Sequence, residues 1–158
     1  TDILFRLAGP PQLGELAKAA GSRGAHVEFT GRLPFAELPA AIHRASLCLG
    51  GPFGNTNQAQ MVVPNKTYQA LACGTPVLVG DSPSTQWAGL QNRQNALVIP
   101  QGQAAALAEA IQWAHDHPAD LLKIGQAGRR LYEQRFNQTA LAGTMTSVLR
   151  ATGLWPAG

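Results

Sequence analysis

Apolar positions along this chain fall into short clusters, punctuated by Gly and Pro, whose spacing switches between strand and helix periods. Residues 3–8 read as a buried strand that ends at Gly9-Pro10-Pro11. Pro11 suits the first turn of a helix running to about residue 20, because the N–H it lacks is unused there. Gly21 and Gly24 punctuate that helix's end. A short strand over 27–30 stops at Gly31. Pro34 opens a second helix, on which Leu38, Ile42 and Ala45 recur on one face. A strand at 46–49 leads into a long Gly/Asn/Gln-rich segment, 50–64. The next helix, 65–73, is closed by Gly74. Residues 76–79 are continuously apolar, the pattern of a strand covered on both faces. A short helix at 84–90 and a strand at 96–99 follow. Three helices at about 103–115, 118–135 and 138–151 complete the chain, Pro118 separating the first two and Asn137 or Gln138 opening the last.

This alternation predicts an α/β fold: a doubly wound parallel sheet of about five strands, with right-handed crossovers and helices on both faces. No repeat or internal linker is visible, so residues 1–158 read as one domain. In such sheets ligands sit beyond the carboxyl ends of the strands. The candidate loops therefore follow Ala8, Thr30, Leu49, Val79 and Ile99.

Composition narrows the picture. Hydrophobic residues make up 45% and charged residues 13% of the 158, a globular balance rather than a disordered one. Twelve basic against nine acidic residues give a formal charge of +3. That excess suits an anionic small ligand as well as a nucleic-acid backbone. No Lys/Arg run or interleaved aromatic stripe argues for nucleic acid. Cys48 and Cys73, distant in sequence and set among apolar residues, read as buried reduced thiols rather than a disulfide or metal pair. With no long apolar run and no signal peptide, the expectation is a cytoplasmic protein. The chain opens directly on a strand without an initiator Met, and is read as part of a longer protein.

The loop 50–64 is the most informative segment. It lies at a strand's carboxyl end, exceeds the usual βα connection length, and carries Gly50 and Gly51, which let backbone approach a ligand. The alternative is a mobile surface insertion. Asn65 is placed to cap the helix that follows. A helix N-terminus favours an anion, so Lys66 in the first turn breaks a local rule, as residues at functional sites do. An anion such as a nucleotide diphosphate would satisfy Lys66 and the free N–H groups together. A solvated surface lysine is the alternative.

At this point the chain resembles a known family. Phe29-Thr30-Gly31-Arg32-Leu33-Pro34, then Glu37-Leu38-Pro39-Ala40-Ala41-Ile42 and Arg44-Ala45-Ser46, resemble the carboxyl-terminal domain of retaining group-one (family four) glycosyltransferases with the GT-B fold. Tyr68-Gln69-Ala70-Leu71-Ala72-Cys73-Gly74-Thr75-Pro76-Val77-Leu78-Val79 is similar to their helix–Gly–x–Pro–Val strand signature. Asn95-Ala96-Leu97-Val98-Ile99-Pro100, followed by Ala105, Leu107, Ala108, Ala110 and Ile111, resembles the segment after it. The ordered set extends over roughly residues 3 to 136.

The resemblance implies a Rossmann-like domain that holds a nucleoside-diphosphate sugar against a second, amino-terminal acceptor domain. It implies donor and phosphate binding by Gly50, Gly51, Asn65, Lys66, Thr67 and Gln69, with Gly9, Gly31 and Arg32 as further nucleotide-binding candidates. Family members carry a Glu at the position of Gln69, where it holds the ribose hydroxyls, and another at the position of Met61. Both glutamates are absent here. The Pro64-Asn65-Lys66 start resembles a subset in which the Lys replaces part of this motif. The family's first strand and its phosphate-binding Gly-Arg-Leu turn would precede Thr1. That strand normally lies between those at 3–8 and 46–49. The backbone groups left unpaired without it are expected to be met by direct pairing, strand exchange or dimer contact through an exposed sheet edge.

Smaller signals follow. No Asp-x-Asp pair calls for a divalent metal, and His115-Asp116-His117 at a helix end reads as capping and solvation rather than a metal site. No cofactor is implied, the sugar nucleotide being a substrate. Asp81 sits at the cleft edge within reach of a sugar hydroxyl, and Ser84 is the expected cap of the short helix. Arg129, Arg130 and Arg135 read as a solvated face, and Trp155 as a docking anchor. The leading reading is the donor-binding half of a metal-independent, retaining transferase, inactive as an isolated piece, whose parent associates peripherally with membranes. A non-catalytic α/β interaction module that has lost the donor motif is the second reading. A single-domain flavodoxin-like protein is the third.

Overall fold

The computed structural model describes residues 2–154. Trp155, expected to be an anchor, lies outside them. Five strands and eight α-helices are present among the described residues; seven of the helices follow the expected order, and the eighth, Asn57–Gln60, falls within the segment 50–64 expected to be a loop. The chain divides into two compact units, Thr1–Ala41 and Ile42–Gly158.

In the first unit, β1 (Phe5–Ala8) and β2 (Val27–Gly31) flank α1 (Gln12–Gly21). The strands pair in parallel with Arg6 opposite Glu28, and these two side chains form an exposed 2.8 Å ion pair. Such pairs contribute at most about 1 kcal/mol. Residues 3 and 4 lie outside the strand. The helix expected from Pro34 begins instead as a 3-10 turn, Phe35–Glu37, and continues as α2 (Leu38–His43).

In the second unit, β3 (Cys48–Leu49), β4 (Val77–Gly80) and β5 (Leu97–Ile99) form a parallel three-stranded sheet in sequence order. Between them lie α3 (Asn57–Gln60), α4 (Asn65–Cys73) and α5 (Pro83–Trp87). After β5 come α6 (Ala104–Asp116), α7 (Pro118–Arg135) and α8 (Gln138–Ala151). The ladders make two sheets, β1-β2 in the first unit and β3-β4-β5 in the second.

Strand β4 shows why the second unit folds as it does. Val77, Leu78 and Val79 are all fully buried, as their continuous apolar run requires. Val77 and Val79 belong to a core with Ala70, Leu71, Ala88, Leu90 and Ala96. Leu78 belongs to another, with Leu97, Ile99, Ala114, Leu121 and Ile124. Strand alternation thus sends successive side chains into cores on opposite faces of one sheet. Helix α7 approaches closely because Gly125 and Gly128 lack side chains. A Cβ on Gly128 would lie 2.8 Å from both the Asn95 carbonyl oxygen and the Leu71 side chain. The outer edge of β5 is closed locally: the Val98 N–H donates to Asn92 Oδ1 (3.0 Å) and the Ala96 carbonyl accepts from Arg93 N–H (2.8 Å). That covering blunts strand addition at this edge.

Candidate functional site

The carboxyl end of β3 runs into Gly50 and Gly51, which are both buried. Gly51 has φ +64°, a left-handed conformation that glycine adopts without a Cβ penalty. Gly50 is needed for a different reason. A Cβ there would sit 2.6 Å from Thr67 Oγ1, 2.8 Å from Val77 Cγ2 and 3.1 Å from Val79 Cγ1. The absent side chain lets α4 lie directly against the strand end.

Helix α4 opens differently from the expectation. Asn65 is not its cap: Pro64 occupies the N-cap with extended backbone (φ −63°, ψ 147°), and no side chain caps the helix. The reason is local. Pro64 supplies the non-helical turn itself, so Asn65 already has helical geometry and lies past the capping position. Thr67 N–H donates to the Pro64 carbonyl at 2.9 Å. The N–H groups of Asn65 and Lys66, at the positive end of the helix dipole, have no side-chain acceptor.

Side chains divide sharply over this first turn. Thr67 points inward and is fully buried, and its Oγ1 has no hydrogen-bond partner. Asn65 and Lys66 are exposed and Gln69 is half-buried. Helical spacing brings Gln69 to the face of Asn65 and Lys66, four and three residues before it. Lys66 makes no ion pair with any described residue. Met61, at the position of the absent glutamate, is 77% exposed and closes α3.

The loop 50–64 is not a loose insertion. Thr56 Oγ1 caps α3 by accepting from the Ala59 N–H (3.2 Å), and Ala59 is buried. Phe53 packs into the core of Leu78 and Leu97. Its carbonyl accepts from the Gly102 N–H (2.7 Å), and Ser84 Oγ donates to the Gln60 carbonyl (2.9 Å). Ser84 is therefore a tether rather than the cap of α5. Ser82 fills that role: its Oγ accepts from the Thr85 N–H (3.2 Å) while Thr85 Oγ1 accepts from the Ser82 N–H (2.9 Å). Pro83 at N1 is the sequence signal for this capping box, since proline there fixes the residue before it as the cap. Asp81 accepts from Gln86 Nε2 at 3.0 Å.

In the first unit, the Gly9 N–H donates to the Gly31 carbonyl at 2.9 Å, bringing these two candidates together where β1 and β2 end. Arg32 follows, exposed. Elsewhere, Cys48 and Cys73 are half-buried and not joined in a disulfide. Burial first, and Cys73 next, push the Cys48 thiol up to about 11, against a smaller opposing pull from Lys66. A thiol held protonated is a poor nucleophile. His117 Nδ1 lies 2.8 Å from the Trp113 carbonyl, and its ring stacks on Trp113. Arg135 is more than a solvated cation: it donates to the Trp87 carbonyl at 3.1 Å and lies over the Trp87 and Phe136 rings.

Comparison with known proteins gives a consistent result. Residues 1–146 match a family model described as glycosyl transferase-like. Comparison with curated protein sequences gives no match. Among solved structures, the chain is similar to Anabaena HepE in complex with UDP-glucose, at 18% identity and TM-score 0.73, covering 92% of this chain and 40% of that one. It is similar to sucrose-phosphate synthase from Thermosynechococcus elongatus at 24% identity and TM-score 0.73, covering 96% of this chain and 38% of that one. A third likeness is to the carboxyl-terminal domain of a group 1 glycosyl transferase, LpcC, from Francisella tularensis. There the identity is 13% and the TM-score 0.64, over 80% of this chain and 63% of that one. The chain spans about two fifths of the first two structures.

Proposed function

The chain belongs to the glycosyl transferase-like family, and from that premise we propose that it is the donor-binding part of a glycosyltransferase. Its ligand is a nucleoside-diphosphate sugar, with the diphosphate at the start of α4. One observation carries this reading: an uncapped helix N-terminus with an unpaired Lys66, next to a strand end stripped of side chains at Gly50 and Gly51. The N-terminal N–H groups and the ammonium would meet the phosphate oxygens. When the bond between the sugar's anomeric carbon and the diphosphate oxygen breaks, negative charge grows on that oxygen. The same groups stabilise it as a preorganised electrostatic site.

Gln69 is assigned to the ribose hydroxyls, as a neutral replacement for the family's glutamate. Gly9, Gly31 and Arg32 are assigned to the nucleotide. The acceptor comes from a separate amino-terminal domain, and the piece by itself turns over no substrate. We take the transfer to retain anomeric configuration and to need no metal, and leave the catalytic residues unassigned. The complexes of HepE with UDP and UDP-glucose support the ligand class. No described helix is long and apolar enough to cross a membrane. Cytoplasmic location, peripheral membrane association of the parent and dimerisation through an open sheet edge stay parts of the proposal.

Calorimetric titration with uridine and guanosine diphosphates tests the reading. Binding of one of them, weakened about fivefold to tenfold by Lys66→Ala, is the expected result. Binding indifferent to Lys66→Ala would remove the site assignment. A non-catalytic interaction module is the second reading, favoured by Met61, an apolar side chain left 77% exposed where the family has an acid. It predicts no binding of either nucleotide.

A further inference from the structure

Gln101, the second residue beyond β5, has no role in the reading above. Its side chain reaches back across the carboxyl edge of the sheet, and Nε2 lies 3.3 Å from the Pro52 carbonyl oxygen and 3.2 Å from that of Ala59. Both partners are acceptors only, so the amide must present its nitrogen to them, and its two N–H groups serve one carbonyl each. Pro52 begins the long loop's outward limb and Ala59 lies on its returning limb, within α3. One side chain therefore ties the two limbs together and anchors both to the end of β5. The backbone around it is fitted to this bridge. A Cβ on Gly80 would run into the Pro52 carbonyl and would lie 2.7 Å from Gln101 Cγ. The adjacent Gly102 N–H adds its bond to the Phe53 carbonyl.

We propose that Gln101 is a positioning residue. It holds the loop 50–64 in one conformation, so that a sugar nucleotide arriving beside Gly50, Gly51 and Lys66 meets a preformed wall. The functional half of this proposal rests on the donor-binding reading. The physical reason is entropic: a loop fixed before binding does not charge its ordering to the ligand. Gln101 itself touches no ligand.

The test uses three variants in the 158-residue chain. Gln101→Glu preserves shape but sets carboxylate oxygens against two carbonyl oxygens. Gln101→Leu removes the donors and leaves the bulk. Gln101→Lys keeps N–H donors. Backbone hydrogen exchange at residues 53–62 should speed up about tenfold or more in the Glu and Leu variants. It should stay near the parent rate in the Lys variant, and Val77–Val79 should be unchanged in all three. Affinity for UDP should fall about threefold to tenfold in the first two and hold in the third. Equal loosening by all three variants, or loosening by none, would overturn the clamp. Loosening without a change in UDP affinity would overturn its functional half. If the parent chain binds no UDP, the donor reading fails, while the exchange pattern still decides whether Gln101 holds the loop. Should the Glu variant fail to fold, the Leu and Lys pair carries the same contrast.

Discussion

Two helices of the second unit start at the carboxyl edge of the same sheet, each with a proline at its entrance, and they are finished in opposite ways. Helix α5 follows β4 and is closed by a reciprocal capping box between Ser82 and Thr85, both buried. Helix α4 follows β3 and its loop, begins on Pro64, and has no side-chain cap. The sequences Ser82-Pro83-Ser84 and Val63-Pro64-Asn65 differ in what precedes the proline. A serine there makes the proline N1 and the serine a cap. A valine cannot accept a hydrogen bond, the proline itself becomes the cap, and the backbone donors stay open. One start is built for stability. The other is left without a cap, the opening the donor-binding proposal gives to the diphosphate, with Lys66 adding positive charge where an isolated helix would avoid it.

The comparison can be broken or sharpened by substitution. Gly50→Ala should have the largest effect. Its Cβ would have to displace Thr67 and Val77, and overpacking of this kind costs about 2 kcal/mol, or somewhat more, read as a drop in the urea midpoint. An unchanged midpoint would mean that α4 does not depend on that close approach. Ser82→Ala should follow at about 1–2 kcal/mol, with UDP affinity unaltered. A parallel loss of affinity would show that the capped helix also takes part in binding. Pro64→Asp supplies α4 with the cap it lacks. It should raise stability by about 0.5–1 kcal/mol and abolish most UDP binding, because the carboxylate takes the donors and repels the phosphates. Tighter binding would contradict the open-end account. Gln69→Glu should change stability little and strengthen UDP binding about threefold, a charged acceptor being the better partner for ribose hydroxyls.

The last effect is absent at neutral pH and appears only in alkali. Cys48 titrates in the folded chain near 11 instead of 9.0, chiefly because it is buried. Between these values the unfolded thiol loses its proton while the folded one keeps it, so stability falls as pH rises through this window. Cys48→Ala should flatten that part of the Tm-versus-pH curve and leave the curve at neutral pH parallel to the parent's.

Much of the fold could be read from residue order because its determinants are local. Asn65–Cys73 with Gly74, Pro118–Arg135 and Gln138–Ala151 form as the periodicity and breakers demand. So does the doubly covered strand at Val77–Val79. The errors sit where a single residue's role depends on its neighbours. Asn65 is a fitting cap by type, yet Pro64 takes the position. Ser84 is a fitting cap by type, yet Ser82 precedes the proline and Ser84 is drawn to the Gln60 carbonyl. The short helix Asn57–Gln60 hid inside an amide-rich stretch whose only signal was Thr56 three residues before Ala59. Gln101 could not have been found this way. Its partners lie 49 and 42 residues earlier, and nothing in Pro100-Gln101-Gly102 announces them. The glycine at 50 was legible as a special position, but for ligand approach. The structure adds that it is also the seat of a buried Thr67 hydroxyl without a hydrogen-bond partner.

The most direct test of the open-end account is an amide-resolved NMR titration of the chain with UDP. The account predicts that the backbone resonances of Asn65 and Lys66 shift progressively with nucleotide, along with those of Gly50 and Gly51, while Ser84 and Thr85 on the capped helix stay in place. Shifts confined to α5, or none at the start of α4 under saturating UDP, would contradict it.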